Sequence, residues 1–72
     1  MENRITFNPK IFGGKPIIKG TRISVEFVLE LLASGMTPEG IVKEYPQLIK
    51  NDILAVLDYA AKIVKREELV FA

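Results

Sequence analysis

The chain has 72 residues, 49% of them hydrophobic, with ten cations against nine acids and neither cysteine nor histidine. That composition holds one small domain, offers no disulfide or Cys/His zinc site to staple it, and supplies no ordinary nucleophile–base pair for covalent catalysis. A net charge of +1 does not mark a nucleic-acid binder in bulk, so the expectation is a non-enzymatic protein working without metal or cofactor.

A chain this short buries only about 60% of the surface its unfolded form exposes, which leaves a monomer marginal. The mean hydropathy of +0.21 is high for so surface-dominated a body, and association into a homodimer is the remaining ordinary source of stability. Charge is unevenly spread. Residues 1–22 carry Arg4, Lys10, Lys15, Lys19 and Arg22 against Glu2 alone, whereas residues 23–49 carry Lys43 against Glu26, Glu30, Glu39 and Glu44. Residues 50–72 are balanced, so a dimer presents a basic N-terminal segment twice. The lack of cysteine fits a reducing cytoplasm. No apolar signal core follows Met1, and no run approaches the roughly 18 apolar residues of a membrane span, so a cytoplasmic protein off the membrane is expected.

In chain order, Ile5-Thr6-Phe7 is a short β-type run that Asn8-Pro9, a turn-initiating pair, brings to a stop. Pro16-Ile17-Ile18-Lys19 is a second such run between Gly13-Gly14 and Gly20. Pro16 suits an edge or a strand start because it has no N–H to donate. A lone two-stranded ribbon is marginal in water, so these strands need the rest of the domain, pairing with each other or across a dimer. Ser24 reads as the N-cap of a first helix, with Glu26 in the first turn where the helix dipole favours an anion. Val25, Val28, Leu29 and Leu32 recur on one helix face, Phe27 and Leu31 form a row beside it, and Gly35 suits a left-handed C-cap.

Thr37 caps a second helix and Pro38 takes its first position. Gly40 weakens that helix by about 1 kcal/mol relative to Ala, which either a close approach to a neighbouring helix or simple tolerance explains. Pro46 disfavours helical geometry at Tyr45 and ends the segment. A third helix is predicted from Asn51, as N-cap, to about Glu67. Its core row is Ile53, Val56, Leu57, Ala60 and Val64, and Leu54, Ala61 and Ile63 widen the apolar surface. A helix apolar over so much of its circumference packs against two bodies, its own core and a partner subunit. The apolar end Leu69-Val70-Phe71-Ala72 has no place in a three-helix core. It reads as a frayed end, a dimer contact or a tail that docks on a partner.

Three motifs stand in order. The run from Gly13 to Val25 reads GGKPIIKGTRISV. The turn Gly35-Met36-Thr37-Pro38-Glu39 follows with Ile41, and then Tyr45-Pro46, Leu48 and Asp52-Ile53. From about Ile5 to about Ala61 this set resembles the DUF433 family of small prokaryotic proteins, which includes VapB-like antitoxins partnered with PIN-type ribonuclease toxins. The expected fold is mainly α: a three-helix helix-turn-helix (homeodomain-like) core over residues 23–67, a β/loop arm over 1–22 before it, and a tail over 68–72. The resemblance implies an antitoxin-like protein that binds and neutralises a PIN-type toxin and represses its own operon by binding operator DNA. The alternative is a dimeric protein-interaction module that never touches DNA.

On the helix-turn-helix reading the third helix enters the major groove. The candidate DNA-binding residues are then Lys19 and Arg22 from the arm, with Lys50 and Asn51 from the helix start. Asp52 and Asp58 oppose that reading, because they repel phosphates unless they face cytosine or an internal cation. Gly20 and Thr21 read as a structural turn, and Arg22 serves either anion recognition or a bridge to an acidic helix. Gly13-Gly14-Lys15 lacks the spacing and the following hydroxyl of a phosphate loop, so nucleotide binding is not expected. Leu69, Val70 and Phe71 are the candidate partner-binding residues.

Overall fold

A computed structural model describes residues 4–71, with side chains described for residues 4–66. Two short strands, β1 (Ile5–Phe7) and β2 (Pro16–Ile18), precede three helices, α1 (Val25–Ala33), α2 (Pro38–Glu44) and α3 (Lys50–Phe71). The strands pair antiparallel within the chain, with Ile5 opposite Ile18 and Phe7 opposite Pro16. The Lys19 N–H extends the ladder to the Arg4 carbonyl at 2.8 Å. On its other side β2 is joined by Ile23 and Ser24: the Ile18 N–H donates to the Ile23 carbonyl at 2.9 Å, and Ile17 bridges Ser24. Pro16 opens β2, as its missing N–H requires.

Between the strands, Phe12, Gly13 and Gly14 all have positive φ, at 50°, 63° and 88°. Three successive left-handed residues turn the chain tightly, and the two glycines enter that region without a Cβ penalty. At residues 20–23 the turn is structural, as expected. The Thr21 hydroxyl donates to the Ile18 carbonyl at 2.8 Å and accepts the Ile23 N–H at 3.0 Å.

The helix ends follow local chemistry. Ser24 Oγ accepts the Phe27 N–H at 3.0 Å at the start of α1. At its end Gly35 stands at φ 104°, with Gly35 N–H on the Leu32 carbonyl at 3.0 Å and Met36 N–H on the Leu31 carbonyl at 3.2 Å. That double closure is a Schellman motif. Thr37 Oγ1 caps α2 by accepting the Gly40 N–H at 3.0 Å. A Cβ on Gly40 would lie 3.3 Å from that same oxygen, so the glycine answers to the cap and not to a neighbouring helix.

The start of α3 differs from expectation. Ile49, not Asn51, occupies the N-cap position, and it has no side-chain acceptor. Asp52 replaces it by reaching back from the first turn to the Ile49 N–H at 2.9 Å. This is the carboxylate half of a capping box.

The core consists of Ile18, Val25, Val28, Ile41, Leu48, Ile53 and Val56, so β2 and all three helices contribute to it. Its row on α3 is narrower than the periodicity suggested. Asp52, Ile53, Ala55 and Val56 face inward, while Leu57 and Val64 are 42% and 54% exposed. Among the described residues no helix is long and apolar enough to cross a membrane. Gly35→Ala forces a left-handed alanine at the α1 terminus and should cost about 1–2 kcal/mol. A thermal melt should show this as a fall of roughly 5–15 °C in Tm for a domain of this size.

Candidate functional site

The start of α3 is where the arm and the helices meet. Arg4, beside β1, donates from Nη1 to Asp52 Oδ1 at 3.1 Å, across 48 residues of chain. Asp52 is only 6% exposed, and its second oxygen holds the Ile49 N–H. The carboxylate thus accepts from a cation on one oxygen and from a helix-start backbone donor on the other, a charge-assisted arrangement about twice as strong as neutral hydrogen bonds. Because Asp52 faces an internal cation, it offers no negative charge to an approaching ligand. Asp58, the second acidic residue on α3, pairs with Lys62 at 3.0 Å one turn along the helix.

Lys19 is exposed, and its N–H is hydrogen-bonded to the carbonyl of Arg4, whose guanidinium reaches Asp52, the residue after Lys50 and Asn51. Lys50 also reaches back to Glu39 of α2 at 3.4 Å, with both side chains largely in solvent. The Glu39 carboxyl lies below its ordinary pKa, first through its own backbone N–H in the first turn of α2 and then through Lys50. It stays charged as pH falls into the usual carboxylate range.

Arg22 lines a depression with Phe12, Lys15, Phe27, Glu26 and Glu30, where Lys15 already meets Glu26 at 3.0 Å. Two cations and two acids share that surface, so its charge cancels locally and its hold on a phosphate is weak. Among the described residues no three acidic side chains come together to hold a metal ion.

The excess apolar surface expected on the third helix lies open in the structure. Leu54 and Leu57 stand on α3 facing solvent, with Ile49 exposed just before the helix. Leu54, Leu57 and Ala61 follow one another at spacings of three and four residues, the seam of a helix that packs along another helix. That spacing was visible in the sequence. The rotation that turns it outward was not. A second apolar surface lies where α1 meets the outer half of α3, a groove of about 550 Å³ whose floor includes Leu29, Ala33, Tyr59 and Ile63. Leu69, Val70 and Phe71, the proposed docking tail, have side chains that lie outside the described residues.

With this geometry in place the relatives can be compared. The model of the family described as "Protein of unknown function (DUF433)" matches residues 5–60, which is most of the chain. The chain belongs to the DUF433 family. A crystal structure of a DUF433 member protein from Anabaena variabilis superposes with a TM-score of 0.81 at 26% identity, covering 90% of this chain and 64% of that one. The uncharacterized protein y4eO of Sinorhizobium fredii is 34% identical over 56 residues, 78% of this chain. The chain spans about a quarter of the length of that relative, with 25% of it matched. The DUF433 match takes in both strands, α1, α2, the Arg4-linked Asp52 and the first half of α3, and it stops at residue 60, short of the outer half of that helix.

Removing the carboxylate of Asp52 frees two partners, Arg4 and the Ile49 N–H. Asp52→Ala should cost about 2–3 kcal/mol, and Asp52→Asn, which keeps an acceptor for the N–H, roughly half as much. Urea unfolding of the two variants separates the contributions.

Proposed function

We propose that this DUF433 protein works by docking onto another protein, in the manner of an antitoxin that covers a PIN-type ribonuclease, with no chemistry of its own. The observation that carries this reading is the solvent-facing seam of Leu54, Leu57 and Ala61 on α3. Apolar side chains at heptad-like spacing on an exposed helix suit the apolar face of a partner's helix. In this reading the mechanism is steric: the docked module blocks access to the enzyme's substrate channel.

Operator binding through a homeodomain-like helix-turn-helix, with α2 as support and α3 as the recognition helix, is the second reading. Lys19, Lys50 and Asn51 favour it, since they are exposed and Asp52, next to Asn51, is paired with Arg4. Against it stand Leu54 and Leu57, which would face the DNA along the same helix. A dimeric interaction module without DNA binding retains the first reading and discards the second.

The test is a growth assay in which the adjacent open reading frame is expressed alone and then with this chain. Arrest by the neighbour, rescue by this protein and co-purification are the expected results. Replacing Leu54 and Leu57 together with Lys should abolish rescue and weaken the complex at least about 100-fold, as loss of a buried apolar hot spot does. Full rescue by that double variant would overturn the docking face. Binding to operator DNA, if it occurs, should fall steeply with salt as phosphate counterions are released, while the protein complex hardly responds.

A further inference from the structure

The groove between α1 and the outer half of α3 is a different surface from the leucine seam, and it continues the core into open solvent. Leu29 and Ala33 form one wall, Tyr59 and Ala60 the other, and Ile63 and Val64 extend it beyond the end of α1. The reason it lies open is a mismatch in length. At about 1.5 Å per residue, α1 (nine residues) is roughly 13 Å long and α3 (22 residues) roughly 33 Å, so the outer half of α3 outruns the helix that covers its base.

The surface area carries the same message. A compact monomer of 8.1 kDa exposes roughly 4,500 Å², whereas this chain exposes 5230 Å². Likewise the radius of gyration is 12.6 Å, against roughly 11 Å for a compact chain of this length.

We propose that a second copy of this chain occupies the groove, laying its own α3 across it in the opposite direction about a two-fold axis near Ile63. Charge complementarity selects that occupant. The α1 rim carries Glu26 and Glu30, while the outer half of α3 carries Lys62, Lys65 and Arg66 against Glu67 and Glu68 and so keeps a net positive charge. Glu26 is engaged by Lys15 and Lys62 by Asp58, which leaves Glu30 to meet Arg66 across the axis. In a two-fold contact each copy supplies both members, so the pair forms twice. The antiparallel setting brings each α3, with its cations, over the acidic α1 of the other copy. The leucine seam on the remaining side of α3 stays open, so the dimer and the docking reading above are independent.

Sedimentation equilibrium on the full chain from about 1 to 200 µM tests the proposal, with a concentration-dependent Tm as a second readout. The expected species has twice the 8.1 kDa chain mass. Ile63 is 42% exposed in the single chain, so Ile63→Glu should leave the helical circular dichroism in place while raising the dimer Kd at least about 30-fold. Glu30→Lys and Arg66→Glu should each weaken the dimer about ten-fold, and the two together should restore it to within about three-fold of the original. Lysine at both Leu54 and Leu57 should leave the dimer intact. A chain of 8.1 kDa throughout the range, a dimer indifferent to Ile63→Glu, or a charge-swapped pair no better than its singles would each overturn the proposal. None of these results touches the partner-docking assay, which reads a different face.

Discussion

A guanidinium at residue 4 and a carboxylate at residue 52 meet at 3.1 Å, and the placement of the exposed helix faces depends on that contact. Asp52 works in both directions. It anchors the N-terminal arm through Arg4 and closes the first turn of α3 through the Ile49 N–H. Holding Asp52 inward fixes the rotation of α3, because residues three and four positions further on, Ala55 and Val56, then lie on the same side. Ile53 and Val56 enter the core, and Leu54 and Leu57 are left facing out. In a domain of this size, which buries a modest share of its surface, one such contact governs which side chains remain available to other molecules.

The same contact changes the meaning of the chain's charge. The basic arm looks in sequence like a footprint for phosphate, yet Arg4 is spent on Asp52 and Lys15 on Glu26, while Arg22 shares its surface with Glu26 and Glu30. The cations that face solvent at the arm–α3 junction, Lys19 and Lys50, are fewer than the composition of residues 1–22 suggests. The distinguishing character of the surface is apolar and lies on α3.

Local signals in the sequence were readable because they act within a turn. Ser24, Thr37, Pro38, Gly35, Pro46 and Pro16 each satisfy or remove a particular backbone hydrogen bond, and each sits where its chemistry requires. The Thr21 turn is of the same kind. What could not be read locally was decided at long range. Asn51 is the better capping side chain in isolation, but the N-cap lies two residues earlier, at Ile49, because a carboxylate held by a residue 48 positions away supplies the cap. The apolar row Ile53, Val56, Leu57, Ala60 and Val64 held as core at Ile53 and Val56 but not at Leu57 and Val64, since the periodicity of a broadly apolar helix does not fix its rotation. For the candidate site, the sequence placed Lys50 and Asn51 at the start of α3 and raised the need for a cation opposite Asp52, but it could not name Arg4.

The left-handed loop between the strands bears on how this protein behaves when concentrated. An exposed strand edge is a template onto which another chain can add, the first step toward fibrous aggregates. Here the loop Phe12–Gly14 winds the wrong way to extend either strand, Pro16 withholds a donor at the head of β2, and Ile23–Ser24 occupies β2's free side. Among the described residues only the three of β1 present an unpaired edge. A chain nearly half apolar thereby offers little strand edge onto which another copy can add.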